Sequence, residues 1–261
     1  MLNKLMKYEF KATSKLLLPL YLILLFMSIM NRFIIFRINN ENGVFGVIKH
    51  FFILTYMVLI FVVLVVTILY MIIRFYKNLL TDEGYLMFTL PAKTHELITS
   101  KLLTTIFWSI ISILVILLSL IIAFVAADNI PVFINDIRIS LANANRDFGG
   151  SFTLILWELG ILSLLSLVVN VLLIYLSIAI GQLFSKHKII ASFAAYIVTY
   201  TVIELLIIIV LAILGAFTSN TVINNNISQI IFPTAIVILI TASTVFYFAT
   251  NYLFKRKLNL D

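Results

Sequence analysis

Three uninterrupted apolar runs constrain this chain more than any other feature of its sequence. Residues 51–73, 102–127 and 159–185 contain no Asp, Glu, Lys or Arg. The hydrocarbon core of a bilayer is about 30 Å thick, and an α-helix of roughly 20 apolar residues crosses it. Inside hydrocarbon, helices satisfy their own backbone polar groups. The chain is therefore predicted to be an all-α polytopic membrane protein.

The composition and the missing motifs exclude several classes of function. The chain is 63% apolar and 11% charged, whereas soluble domains are about half apolar and a quarter charged. Its longest polar stretches, 74–98 and 128–150, are shorter than the ~50 residues that a domain usually needs. The sequence has no phosphate-binding loop, no nucleophile elbow and no H-E-x-x-H pattern. With no cysteine and three isolated histidines, neither enzymatic activity nor a metal site is predicted.

The apolar runs and the turns between them predict six spans. These are 16–36, 50–75, 101–127, 151–184, 189–217 and 230–254, with an outer loop at 128–150 that has room for one short helix. If both termini are cytoplasmic, thirteen of the 18 Lys and Arg residues lie in inner segments, as the positive-inside rule requires. These residues flank spans rather than form one basic face, so a nucleic-acid partner is not expected.

The first 15 residues combine a basic stripe with an apolar one. The basic residues are spaced three or four apart and so share one helical face; they are Lys4, Lys7, Lys11 and Lys15. Most apolar side chains fall on the opposite side, as in helices that lie in the bilayer interface against anionic membrane lipids. Residues 1–15 are therefore predicted to form an amphipathic interfacial helix. The alternative is a plain positively charged flank of the first span.

Glu204 lies near the middle of the predicted span 189–217. A charge at the centre of a span costs roughly 2.5–3.5 kcal/mol on insertion scales. Its presence predicts either a structural hydrogen bond to a neighbouring helix or a position on a substrate pathway or in gating.

Other polar residues lie near the predicted ends of spans. Asn31 and Arg32 approach the outer end of the first span and are expected to extend toward the outer surface. Glu158, beside Trp157, lies near the outer end of the fourth span, where a hydrated interfacial carboxylate is the simpler interpretation.

The polar hairpin 77–100 between the second and third spans carries the strongest functional signal. Thr81 can cap a short helix whose first turn holds Asp82 and Glu83, where acids interact favourably with the helix dipole. An apolar ridge follows, and Pro91 ends it. The ridge consists of Tyr85, Leu86, Phe88 and Leu90. An exposed ridge of this kind fits a protein partner, and the alternative is an elbow that lies on the bilayer surface.

The hairpin closely resembles the inner loop of type-2 ABC exporter permeases from Gram-positive bacteria. The resemblance rests on residues 80–91, Leu-Thr-Asp-Glu-Gly-Tyr-Leu-Met-Phe-Thr-Leu-Pro, and on Ser100-Lys101-Leu102. Tyr8-Glu9-Phe10-Lys11 is also similar to that family, and the six-span layout covers essentially the whole chain. The chain departs from the macrolide-type and antimicrobial-peptide-sensing branches because no large outer domain is predicted.

The resemblance implies a complex of several chains. In it, residues 1–15 form a connecting helix and the hairpin forms a coupling helix seated in a groove of a separate ATP-binding subunit. The implied coupling residues are Asp82, Glu83, Tyr85, Leu86, Phe88 and Pro91. Two permease chains, identical or homologous, pair with two ATP-binding subunits, which hold the ATP and Mg. This chain binds no cofactor of its own.

The function expected from the resemblance is that of the membrane-spanning subunit of an ATP-driven exporter in a bacterial cell membrane. Its apolar spans favour an amphipathic or hydrophobic substrate such as a peptide, an antibiotic or a lipid. A second interpretation is an ion-coupled secondary transporter that uses Glu204, although the sequence has neither an internal repeat nor a pair of interrupted spans. A third is a non-transporting membrane scaffold or immunity protein.

Overall fold

The computed structural model describes residues 1–37, 43–80, 93–125, 130–147, 152–184, 186–218 and 227–256. All regular secondary structure in these ranges is helical. The helices are α1 Leu2–Arg37, α2 Val44–Leu80, α3 Thr94–Phe124, α4 Ile130–Asp147, α5 Phe152–Gly181, α6 Lys188–Thr218 and α7 Ile227–Arg256.

Six of these seven helices are long and apolar enough to cross a membrane. The exception is α4, an 18-residue helix that carries several charged side chains and lies between α3 and α5. The predicted fold class, all-α with six membrane-spanning helices, is confirmed at this level, and the chain is that of a multi-pass membrane protein.

Helix α1 runs from Leu2 through Arg37 in one piece. The predicted interfacial segment 1–15 and the predicted span 16–36 therefore belong to a single continuous helix. Pro19 lies inside this helix, and because proline has no backbone N–H, one bond of the helical hydrogen-bond ladder is missing there.

The chain divides into two compact units. Unit 1 comprises Met1–Arg74 and Thr99–Leu141, and it contains α1 with most of α2 and α3. Unit 2 comprises Phe75–Ile98 and Ala142–Asp261, and it contains α5, α6 and α7.

The buried face of α1 in unit 1 recurs every three or four residues, as one side of a helix does. Its members are Glu9, Thr13, Leu17, Tyr21, Leu24, Ser28 and Asn31. The apolar members pack into one core with side chains of α2 and α3, among them Tyr56, Val63 and Trp108. Several members of the face are polar, so α1 turns polar as well as apolar groups toward its neighbours.

Asn31 is fully buried, so the expectation that it extends toward the outer surface is wrong. Its Nδ2 donates to the carbonyl oxygen of Phe52 on α2 at 3.4 Å. Arg32 is half-buried, and its Nη1 donates to the carbonyl oxygen of Ile122 on α3 at 3.4 Å. The physical reason is that neighbouring helices supply acceptors at this level, which removes the need to reach water.

In unit 2, α5 packs against both α6 and α7. An aromatic cluster fixes one part of this unit: the rings of Phe75 and Tyr175 stack with centroids 3.6 Å apart, and Phe254 meets Phe75 edge-on at 5.9 Å. All three side chains are buried.

The contact of α5 with α6 depends on small residues. A Cβ at Gly181 would lie 2.6 Å from the backbone nitrogen of Ser192 and 2.7 Å from its Cα, and it would overlap the hydroxyl oxygen. One turn earlier, Ser177 Oγ lies 3.4 Å from Thr199 Oγ1. The Ser177-x-x-x-Gly181 spacing thus places two small residues where the helices approach closely, as is common in membrane helix pairs.

Replacing Gly181 by Ala should destabilise the protein by about 1–3 kcal/mol, the usual cost of overpacking, because backbone atoms of Ser192 must shift. Gly160→Ala in the same helix is the matched control, since a Cβ there meets nothing within 4 Å. Thermal unfolding of the purified chains in mild detergent should give a lower midpoint for Gly181→Ala alone. Equal midpoints would contradict the close approach.

Candidate functional site

A buried carboxylate on α1 meets two cations from different helices. Glu9 Oε2 lies 2.6 Å from Arg74 Nε on α2, and Glu9 Oε1 lies 2.7 Å from Lys101 Nζ on α3. The side chains of Glu9, Arg74 and Lys101 are 8%, 19% and 4% exposed. We call these three residues the ionic node.

The geometry of the ionic node fits its burial. Each oxygen of the Glu9 carboxylate accepts a charge-assisted hydrogen bond from a different cation, and such bonds are shorter and stronger than neutral ones. Removing a carboxylate and an ammonium group from water costs several kcal/mol per ion, which close and well-aligned partners offset. The node therefore holds α1, α2 and α3 in one relative arrangement at this level.

A second contact fixes α1 one turn further along. Trp108 Nε1 on α3 donates to Thr13 Oγ1 at 2.7 Å, and Thr13 Oγ1 donates to the carbonyl oxygen of Glu9 at 2.8 Å. Tyr70 OH on α2 donates to the carbonyl oxygen of Ala12 at 3.4 Å. The backbone that carries Glu9 is thus bonded to both neighbouring helices.

Further polar contacts continue along the interior of unit 1. Ser112 Oγ on α3 lies 2.6 Å from Tyr21 OH on α1 and 3.1 Å from Thr67 Oγ1 on α2. Tyr56 OH on α2 lies 2.8 Å from Ser119 Oγ on α3. Together with the Thr13–Trp108 bond, these contacts form a set that we call the polar ladder. It joins the three helices side by side through hydrogen bonds.

The ionic node lies at both ends of the predicted coupling hairpin. Arg74 precedes residue 77 on α2, and Lys101 follows residue 100 on α3. The implied coupling residues fall within 81–92, outside the residues that the structure describes; they are Asp82, Glu83, Tyr85, Leu86, Phe88 and Pro91. Their proposed contacts stay predictions.

On the far side of the hairpin, α3 begins at Thr94 with a side-chain cap. The Lys93 backbone N–H donates to Glu96 Oε2 at 3.2 Å, the reach-back contact of a capping box. Thr94 Oγ1 donates to Asn251 Oδ1 on α7 at 3.1 Å, within unit 2. The first turn of α3 is therefore held by a second set of contacts.

The four lysines at the N-terminus are all exposed on α1; they are Lys4, Lys7, Lys11 and Lys15. Phe10 is half-buried and packs edge-on against Phe107 of α3, with centroids 4.8 Å apart. Part of the apolar side of this segment thus faces the protein. The contact of the lysines with anionic lipid stays a prediction.

Glu204 lies on α6 and is exposed. It makes no hydrogen bond or ion pair with any described residue of its own chain. Tyr200 and Tyr196, one and two turns before it, stack on each other with centroids 6.1 Å apart. Any partner of this carboxylate must come from beyond the described part of the chain.

The sequence did not predict the ionic node or the polar ladder, although Glu9 and Lys101 belong to segments that resemble the permease family. A usable signal lies on α3, where seven buried residues, five of them polar or small, recur three or four apart within a Leu- and Ile-rich run. The repeat consists of Lys101, Thr105, Trp108, Ser112, Ile116, Ser119 and Ala123. In membrane helices, such a stripe marks the face that meets other helices.

Comparisons with models of protein families, with curated proteins and with solved structures give no match for this chain. Among the residues that the structure describes, no three His, Cys, Asp or Glu side chains group closely enough to hold a metal ion. Function is therefore inferred from the residues and geometry of the chain itself.

Replacing Glu9 by Gln should destabilise the protein by about 3–5 kcal/mol, the usual penalty when one partner of a buried ion pair is removed. Arg74 and Lys101 would then keep their charges in a buried position but lose the bond to the Glu9 carboxylate. Replacing Glu9 and Lys101 together by Met should recover part of that loss, because one buried cation, Arg74, then lacks the Glu9 carboxylate instead of two.

The control is Lys7→Met, which removes an exposed charge from the same helix. Denaturant unfolding in detergent micelles, followed by tryptophan fluorescence, measures the differences. If the Glu9→Gln protein has the same free energy of unfolding as the Lys7→Met protein, the ionic node has no stabilising role.

Proposed function

We propose that this chain is the membrane-spanning permease subunit of an ATP-driven ABC exporter in a bacterial cell membrane. The observation that carries the proposal is the ionic node, in which one buried carboxylate holds the two helices that enter and leave the hairpin. The hairpin is also the segment whose sequence resembles the coupling loop of such permeases.

The ionic node suits a mechanical role. ATP-driven closure of the partner subunits would push on residues 78–91, and the force would reach α2 at Arg74 and α3 at Lys101. Because both cations bind the same carboxylate, the two helices would move together with α1 rather than separate. The polar ladder extends this connection along the interior of unit 1.

The proposed complex contains two permease chains, identical or homologous, and two ATP-binding subunits. ATP and Mg belong to those subunits, so this chain is not itself an enzyme. Both termini are cytoplasmic, residues 1–15 act as a connecting helix, and Lys4, Lys7, Lys11 and Lys15 lie over anionic headgroups. The apolar spans suit an amphipathic or hydrophobic substrate, namely a peptide, an antibiotic or a lipid.

One observation favours a second candidate. Glu204 is an exposed acid on a helix that is apolar enough to cross the membrane. An acid in that position is typical of a proton or cation site in an ion-coupled carrier. In the exporter, the same residue would face the second permease chain or the substrate pathway.

Purification of the tagged chain from its native membrane in mild detergent tests the exporter. An ATP-binding subunit should co-purify in stoichiometric amount with vanadate-sensitive ATPase activity. Two variants change the hairpin: one combines Asp82→Ala with Glu83→Ala, and the other is Phe88→Asp. Each should still insert into the membrane, but it should co-purify with much less of the ATP-binding subunit or show much less transport-coupled ATPase activity. The matched control is Lys186→Glu, a charge reversal at an exposed position in another predicted inner turn. A wild-type chain that purifies alone, or hairpin variants that behave like the control, would overturn the proposal.

Substitutions of Glu204 separate the two candidates. In the exporter, Glu204→Gln should retain transport, because an amide keeps the hydrogen-bonding capacity, and Glu204→Ala should reduce it. In an ion-coupled carrier both should abolish transport, and an ion gradient without ATP should drive uptake into vesicles of the unsubstituted protein. Thr201→Ala is the control, since the exposed Thr201 hydroxyl donates only within its own helix, to Val198 O at 2.9 Å.

A further inference from the structure

Helix α4 carries an apolar ridge that the described part of the chain leaves uncovered. The ridge residues recur at spacings of three and four and lie between 39% and 60% exposed. They are Ile130, Phe133, Ile134, Ile137 and Leu141. A contiguous exposed stripe of this kind marks a surface that meets lipid or another molecule.

The opposite face of α4 carries most of its amide and acidic side chains, together with the exposed Val132 and Ile139. Asn135, Asp136 and Asn143 lie there, and the charged residues of the helix are two acids and two arginines, Asp136, Arg138, Arg146 and Asp147. Their charges cancel. An amphipathic helix without net charge fits a bilayer interface through its apolar area rather than through attraction to anionic lipid.

The chain tethers α4 closely to the membrane. Five residues separate it from the end of α3 at Phe124, and four separate it from the start of α5 at Phe152. At roughly 3.3–3.6 Å per extended residue, each tether spans at most about 20 Å. An 18-residue helix is about 27 Å long. If α4 stood upright on the surface, one end would lie beyond the reach of its tether.

Trp157 marks the level of the interface at one of these tethers. It lies in the second turn of α5 and is 75% exposed. Tryptophan is enriched where hydrocarbon meets headgroups. The C-terminal end of α4 is thus attached, through four residues, to a helix end that carries an interfacial side chain.

We propose that α4 lies along the bilayer surface on the side where α3 ends and α5 begins. Its ridge inserts into the boundary between acyl chains and headgroups, and its polar face meets water. The binding partner is lipid. This inference requires only that α3 and α5 cross the membrane, and it is independent of the proposed function in transport.

Site-directed spin labelling at single introduced cysteines tests the proposal. The chain contains no native cysteine, so none has to be removed first. Nitroxide labels are placed at Ile134, Ile137 and Leu141 on the ridge and at Ile139 and Asn143 on the opposite face. The full-length protein is reconstituted in phosphatidylcholine vesicles. Power saturation then compares the collision of each label with oxygen, which partitions into the bilayer, and with a water-soluble nickel chelate.

The ratio of oxygen to nickel accessibility should be several-fold higher at the three ridge positions than at Asn143. Ile139 is the decisive control: it is apolar in sequence but lies on the polar face, so its label should behave like that at Asn143. Addition of phosphatidylglycerol should leave all ratios unchanged because the charges of α4 cancel.

Three outcomes would overturn the proposal. High nickel accessibility at every position would place α4 in water. Low accessibility to both reagents on the ridge would show that protein, from a second copy or another partner, covers it. A high oxygen ratio at Ile139 and Asn143 as well would place the whole helix inside the bilayer.

Discussion

Hydrocarbon offers no hydrogen-bond partner, and the arrangement of unit 1 follows from that constraint. Each hydroxyl, amide or carboxylate on an apolar helix must find a group on its own helix or on a neighbour. In unit 1 the helices α1, α2 and α3 turn such groups toward one another, from Glu9 with its two cations to Tyr21 beside Ser112. These contacts fix the rotation of each helix about its axis.

Polar contacts carry much of this specificity because lipid competes well for apolar surface. A leucine buried against another helix gains little over one in contact with acyl chains. An interhelical hydrogen bond contributes roughly 0.6–2 kcal/mol and requires one particular rotation. Along α1 the paired polar residues extend from Glu9 to Asn31, about 33 Å at 1.5 Å per residue. These paired residues therefore orient α1 over most of its length.

The length and hydropathy of the apolar runs are sufficient to predict the all-α fold, because each membrane-spanning helix can be recognised from its own segment of sequence. The ionic node was not predictable in that way. Glu9 is 65 residues from Arg74 and 92 from Lys101, and only the rotation of three helices brings them together. The hydrophobic periodicity that reveals a buried face in a soluble protein is weak here, because the lipid-facing side is apolar too. The misplaced Asn31 has the same origin: its distance from the outer end was evident, but the direction of its side chain was not.

Glu9 and Glu204 show how differently one residue type is treated in two apolar helices of this chain. Glu9 is buried and pairs with two cations supplied by unit 1. Glu204 is exposed on α6 and has no partner among the described residues. Because an isolated carboxylate in the membrane is costly, Glu204 needs water or a hydrogen-bond donor from beyond the described residues. Unit 1 satisfies its buried ionic groups from within. Glu204 on α6, by contrast, needs a hydrogen-bond partner that the described residues do not supply.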